Sequence, residues 1–104
     1  MDNNIVITKE MLLNIGFDIP FNSSMIDKIY KEAYELDEFF MCTYYTDDEE
    51  TPLKIDMLYQ CTNNGAEWHM LIDNIRCESI GSADITYVEQ FNKMMEIFNS
   101  NFRL

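Results

Sequence analysis

Glycine and proline are scarce in this chain, three and two residues in 104. That argues against collagen-like or low-complexity disorder and for regular elements joined by short connections. Basic residues are also few. Seven Lys and Arg face 19 acids, for a net charge of −12. Direct nucleic-acid binding rests on Lys and Arg neutralising phosphates, so none is expected here. An anionic membrane is disfavoured for the same reason. No apolar run approaches the roughly 20 residues that span a bilayer. The opening MDNNIVITKE lacks the basic-then-apolar order of a secretion signal, so the expected compartment is the cytoplasm. The three cysteines, Cys42, Cys61 and Cys77, are odd in number and far apart. This argues against a disulfide framework, and against a zinc site built from closely spaced pairs. The expectation is buried or half-buried free thiols. There is one histidine, His69, and no GxSxG or HExxH motif. No cofactor and no metal are expected, and the chain reads as a non-enzyme.

Hydrophobic residues make up 47% of the chain, enough for one real core, and no linker divides residues 1–104. Thr8 can cap a short helix, Lys9 to Ile15, which Gly16 stops. Met11, Leu12 and Ile15 share a face of it. Residues 24–36 carry two patterns. Ser24 with Asp27 resembles a capping box, and Ile26, Ile29, Ala33 and Leu36 form a helical stripe. Tyr30, Tyr34 and Leu36 alternating with charged residues also suit a strand.

Phe39 to Thr46 is rich in aromatics and reads as a strand. Leu53 to Cys61 alternates, with Leu53, Ile55, Met57 and Tyr59 on one face. Asn63–Asn64–Gly65 predicts a hairpin with Asn64 and Gly65 at the centre of a type I′ turn. That register sets Cys61 opposite Trp68 and Met57 opposite Ile72, with the apolar faces aligned. From Asp84 to about Phe98, Tyr87, Val88, Phe91, Met94, Met95 and Phe98 form a helical stripe. Ile80 to Ala83 then reads as a helix entry, with Ser82 and Asp84 supplying caps. A phosphate there would meet Asp84 and Glu78 as like charges and find no lysine. The expected fold is α+β: an N-terminal helix, a second helix or strand, a three-stranded antiparallel sheet and a final helix packed on it.

His69 could act with Glu67 on its own face, or with Cys61, as an acid–base or nucleophilic pair. A lone histidine on a wet strand face is more commonly a surface residue. Asp47, Asp48, Glu49 and Glu50 form the densest charge run. It lacks the alternation and glycine of a calcium loop, so it reads as a solvated turn. More broadly, nine acids and two lysines lie between Asp27 and Glu50, a net of −7. If Glu35, Asp37, Glu38 and Asp47 to Glu50 share a surface, it would steer a basic partner, with Tyr44 among the tyrosines supplying contact area.

ITKEMLLNIGF near the start, and HMLIDN followed by IGSADITYVEQFNKMM near the end, resemble small uncharacterised proteins of phages and mobile elements of Bacteroides-type bacteria. The resemblance covers about half the chain and leaves Asn22 to Thr51 unmatched. Glu89 stands where those proteins often carry a histidine, so no role of that histidine transfers. The resemblance supplies no catalytic residues. It implies a phage or integrated element within a bacterial cytoplasm. The leading expectation is non-catalytic binding of a basic host or defence protein, as an inhibitor or a nucleic-acid mimic. The alternatives are a small enzyme or ligand binder using His69, and a self-assembling protein. In the last, Phe39 to Thr46 at a sheet edge would pair with its copy in a homodimer.

Overall fold

The computed structural model describes residues 5–46, 50, 52–74, 76, 78–98 and 103–104. Its elements run α1 (Lys9–Asn14), α2 (Ser23–Tyr34), β1 (Glu38–Tyr45), β2 (Leu53–Thr62), β3 (Gly65–Asn74), β4 (Ser79–Asp84) and α3 (Val88–Ile97). The four strands form an antiparallel meander in the order β1-β2-β3-β4.

α1 forms where its punctuation places it. The Thr8 hydroxyl accepts from the Met11 N–H at 3.3 Å. Gly16 takes a φ of 114°, which lets the chain leave the helix. The segment with two patterns resolves as helix over Ser23–Tyr34. The capping box does not form: Asn22 is the N-cap, and no side chain bonds the first turn. The helix ends at Glu35, whose φ of 54° is left-handed.

The hairpin has the expected faces but a register two residues away. Cys61 pairs with Ala66, Tyr59 with Trp68 and Met57 with Met70. The turn residues are Asn63 and Asn64, and positive φ falls on Gly65 alone, at 128°. A type I′ turn would need positive φ at both central positions. The observed pattern suits a type I turn followed by a glycine bulge. The Thr62 hydroxyl supports it by accepting from the Asn64 N–H at 3.1 Å. Because the offset is even, every side chain keeps its face.

A fourth strand replaces the expected helix entry. Ser79 to Asp84 pairs with β3, setting Ala83 opposite Met70 and Gly81 opposite Ile72. Gly81 leaves room for the Phe98 ring, whose tip a Cβ would meet at 2.9 Å. Asp84 is therefore a strand residue and caps nothing. α3 begins at Val88, where the Gln90 side chain accepts from the Thr86 and Tyr87 N–H groups, each at 2.9 Å. Capping fell to a downstream Gln rather than an upstream Asp, which the apolar stripe does not reveal.

One face of the sheet carries the main core. Cys42, Leu53, Ile55, Met57, Trp68, Met70 and Ile72 pack with Leu12, Phe17, Phe91 and Met95 from the covering segments. Phe39, Leu58 and Asp56 are also buried, on the opposite face. Asp56 is satisfied there: Thr43 Oγ1 donates to its Oδ1 at 2.6 Å, and Lys54 Nζ lies 3.8 Å from its Oδ2. No helix among the described residues is long and apolar enough to cross a membrane.

Candidate functional site

Of the acids expected to form one surface, those described lie at two ends of β1. Glu35, Asp37 and Glu38 are exposed where α2 hands over to β1. Glu50 is exposed in the connection after β1, and Asp47, Asp48 and Glu49 lie outside the described residues. Eight residues of strand span roughly 25 Å, beyond the Debye length at physiological salt. The described acids therefore do not form one patch. Tyr44 is half-buried and turned to the core, its ring centroid 5.6 Å from that of Phe17.

His69 finds its carboxylate on β4 rather than on its own strand. The cross-strand register sets it opposite Asp84, with Nδ1 2.7 Å from Asp84 Oδ1. Glu67 is exposed two residues away on the same face, and Cys61 is half-buried near the hairpin turn. The Cys61 Sγ makes a long contact of 3.9 Å with the Thr62 carbonyl oxygen. His69 is thus brought together with Asp84, a partner invisible without the fourth strand. The thiols differ in setting. Cys42 is fully buried, and Cys77 lies outside the described residues. Among the described residues no group of three metal-ligating side chains gathers.

The β1 edge is also altered from expectation. Asp18 and Thr43 exchange backbone hydrogen bonds at 2.9 Å in both directions. The middle of β1 is therefore already paired. A copy cannot zip along Phe39 to Thr46 without displacing that bridge.

Two features escaped the sequence patterns. The first is the outer side of α2. This helix buries no residue. Ile26 and Tyr30 are half-buried, and Tyr30 stacks on Phe39 at 4.5 Å between centroids. Met25 and Ile29, one helical turn apart, remain 63% and 55% exposed, and Phe21, just ahead of the helix, is 102% exposed. The signal was legible as apolar residues on more than one side of the helix. The stripe Ile26, Ile29, Ala33 and Leu36 contains Ile29 but neither Met25 nor Phe21.

The second is a cavity of about 450 Å³ between the start of α1, α2 and the start of β1. Phe40, Tyr59 and Trp68 supply aromatic surface. The Tyr59 and Trp68 centroids are 5.1 Å apart, and Phe40 meets Trp68 edge-on at 6.2 Å. Ile7, Thr8 and Lys9 line one side, Asp27 and Lys31 come from α2, and Glu38 and Phe39 from β1. The Lys9 ammonium lies 4.6 Å from the Phe40 centroid. Burial first, then the neighbouring Cys61 and Glu38, push the Tyr59 phenol upward. Comparison with family models, curated proteins and solved structures finds no match.

Proposed function

We propose that this chain is a non-catalytic binding protein of phage or mobile-element origin. It docks a basic host or defence protein through the outer side of α2. The observation that carries the reading is an amphipathic helix with no fully buried residue and apolar side chains left exposed. Met25 and Ile29, with Phe21 just ahead of the helix, stay in water while the same helix uses Tyr30 to hold the sheet. Exposed apolar residues in a row, rimmed by charge, are what a helix-in-groove contact uses. Glu32, Glu35, Asp37 and Glu38 are exposed at the same end of the molecule and supply the charge that selects a basic partner. The origin rests on the resemblance of both ends of the chain to phage-encoded proteins.

The test is affinity capture from a Bacteroides-type host lysate with three baits. These are the wild-type chain, Met25→Glu/Ile29→Glu, and Glu35→Lys/Asp37→Lys/Glu38→Lys. The expected outcome is one basic partner held by the wild-type chain, lost by the first variant, and weakened by the second in a salt-dependent manner. Equal recovery of that partner by all three baits would remove α2 from the interface.

A further inference from the structure

The cavity beside Trp68 is independent of the outer stripe of α2, because Asp27 and Lys31 line it while Met25 and Ile29 do not. Its volume falls within the range of small-molecule sites, roughly 300–1,000 Å³. One wall is held in place. The Trp68 indole N–H donates to the Ile7 carbonyl at 3.0 Å, tying the segment that carries Thr8 and Lys9 to the aromatic surface. A site held open in this way spends little binding energy on ordering itself.

The charges around it are balanced in sign, and the Lys9 ammonium sits over the Phe40 ring. Lys9 and Lys31 bring two ammonium groups, and Asp27 and Glu38 two carboxylates. Among the described residues no hydrogen bond or ion pair engages any of these four charged ends. Two of the seven basic residues of a chain at −12 therefore stand at one cavity. A simple anion entering it would meet the repulsive field of the whole chain. A simple cation would leave both lysines without a partner. A ligand carrying both signs satisfies both pairs and feels no net force from the overall charge.

We infer that this cavity binds a small zwitterion with an aromatic body, of the amino-acid and short-peptide class. Its ring lies against Phe40, Tyr59 and Trp68. Its carboxylate is met by Lys9 and Lys31, and its ammonium by Asp27 and Glu38. Recognition then comes from an aromatic surface with a few convergent polar groups, the usual composition of a specific pocket.

Trp68 is the single tryptophan, so its fluorescence and its indole N–H resonance report occupancy directly. Three probes share one ring: L-phenylalanine with both charges, phenethylamine with the ammonium only, and 3-phenylpropanoate with the carboxylate only. L-Phenylalanine is expected to saturate the Trp68 signals with affinity about tenfold or more above either single-charge probe. Lys31→Gln should erase its advantage over phenethylamine, and Asp27→Asn its advantage over 3-phenylpropanoate. Lys28→Gln, on the exposed side of α2, should change neither. All of these are surface substitutions, and an unchanged amide spectrum verifies the fold of each. The inference is overturned if the three probes bind alike, if 3-phenylpropanoate binds tightest, or if none moves the Trp68 signals in the millimolar range. Partner capture through Met25 and Ile29 is unaffected by any of these results, so the two readings fail separately.

Discussion

The Trp68 indole nitrogen donates to the carbonyl of Ile7 across 61 residues of sequence, at 3.0 Å and away from solvent. Both residues belong to the buried core, so the bond closes the N-terminal segment over β3 with no competing water. Trp68→Phe keeps an aromatic ring and removes the donor. The Ile7 carbonyl is then left without this partner, at a cost of about 1–3 kcal/mol plus the smaller ring's lost contacts. Urea unfolding should show the midpoint fall at constant slope. An unchanged midpoint would show that the carbonyl finds another donor.

Gly81 and Phe98 should be coupled. A methyl at Gly81 would lie 2.9 Å from the tip of the Phe98 ring, yet the Gly81 φ is not positive. The backbone therefore accepts alanine, and only the ring objects. Gly81→Ala should destabilise the wild-type chain and become neutral or stabilising in a Phe98→Ala background. A double-mutant cycle in urea measures that sign change, and additive effects would disprove the contact.

Thr43 and Asp56 form the polar lock of the second sheet face, 2.6 Å apart. Asp56 is only 7% exposed, so its carboxylate depends on this hydroxyl and on Lys54. Thr43→Val keeps the shape and deletes the donor. Hydrogen bonds to charged groups are worth about 1.5–3 kcal/mol, so a loss of that size is expected in thermal or urea unfolding. Asp56→Asn in the same background should recover part of it, because a neutral amide costs less to bury.

Cys42 makes stability fall at alkaline pH. Burial first, then the Asp56 carboxylate, push its thiol up to about 12, against an ordinary 9.0, while Lys9 pulls weakly the other way. Between those values the unfolded chain has lost the proton and the folded chain has kept it. The contribution is complete below pH 9 and drains away as pH rises toward 12. Tyrosines and lysines titrate in the same window, so the readout is a difference. Wild type should lose more stability than Cys42→Ala between neutral pH and about pH 10.5. The native thiol should also resist alkylation until the chain unfolds.

Much of the fold was legible because it is local. Thr8 and Gly16 bracket α1 by chemistry that needs no neighbour. The two-residue period of β2 and β3 put the same residues inward even though the turn was misplaced, since an offset of two preserves every face. The stripe of α3 likewise identified Phe91 and Met95 as core. What misled was the boundary between strand and helix at Ile80 to Asp84. Ser, Gly and Asp there fit a helix entry on propensity alone, and only the unpaired flank of β3 and the ring of Phe98 make them a strand. The candidate site was less legible still. His69 was paired with Glu67 by sequence proximity, whereas the cross-strand register delivers Asp84. Of the acids of residues 35–50, the described Glu35, Asp37 and Glu38 lie before or at the start of β1 and Glu50 lies beyond its other end, a separation set by the length of that strand.

The sequence by itself determined composition-level and periodic facts. These are a strongly acidic α+β chain, the faces of its hairpin, the residues of its last helix that point inward, and the first helix with its stops. Each follows from side-chain spacing or from one residue acting on its own backbone. Only the tertiary structure decided the fourth strand, the partner of His69, the exposed stripe of α2 and the balanced charges around Trp68. Those depend on which segments lie side by side, and that is set by the packing of the whole core rather than by any local pattern.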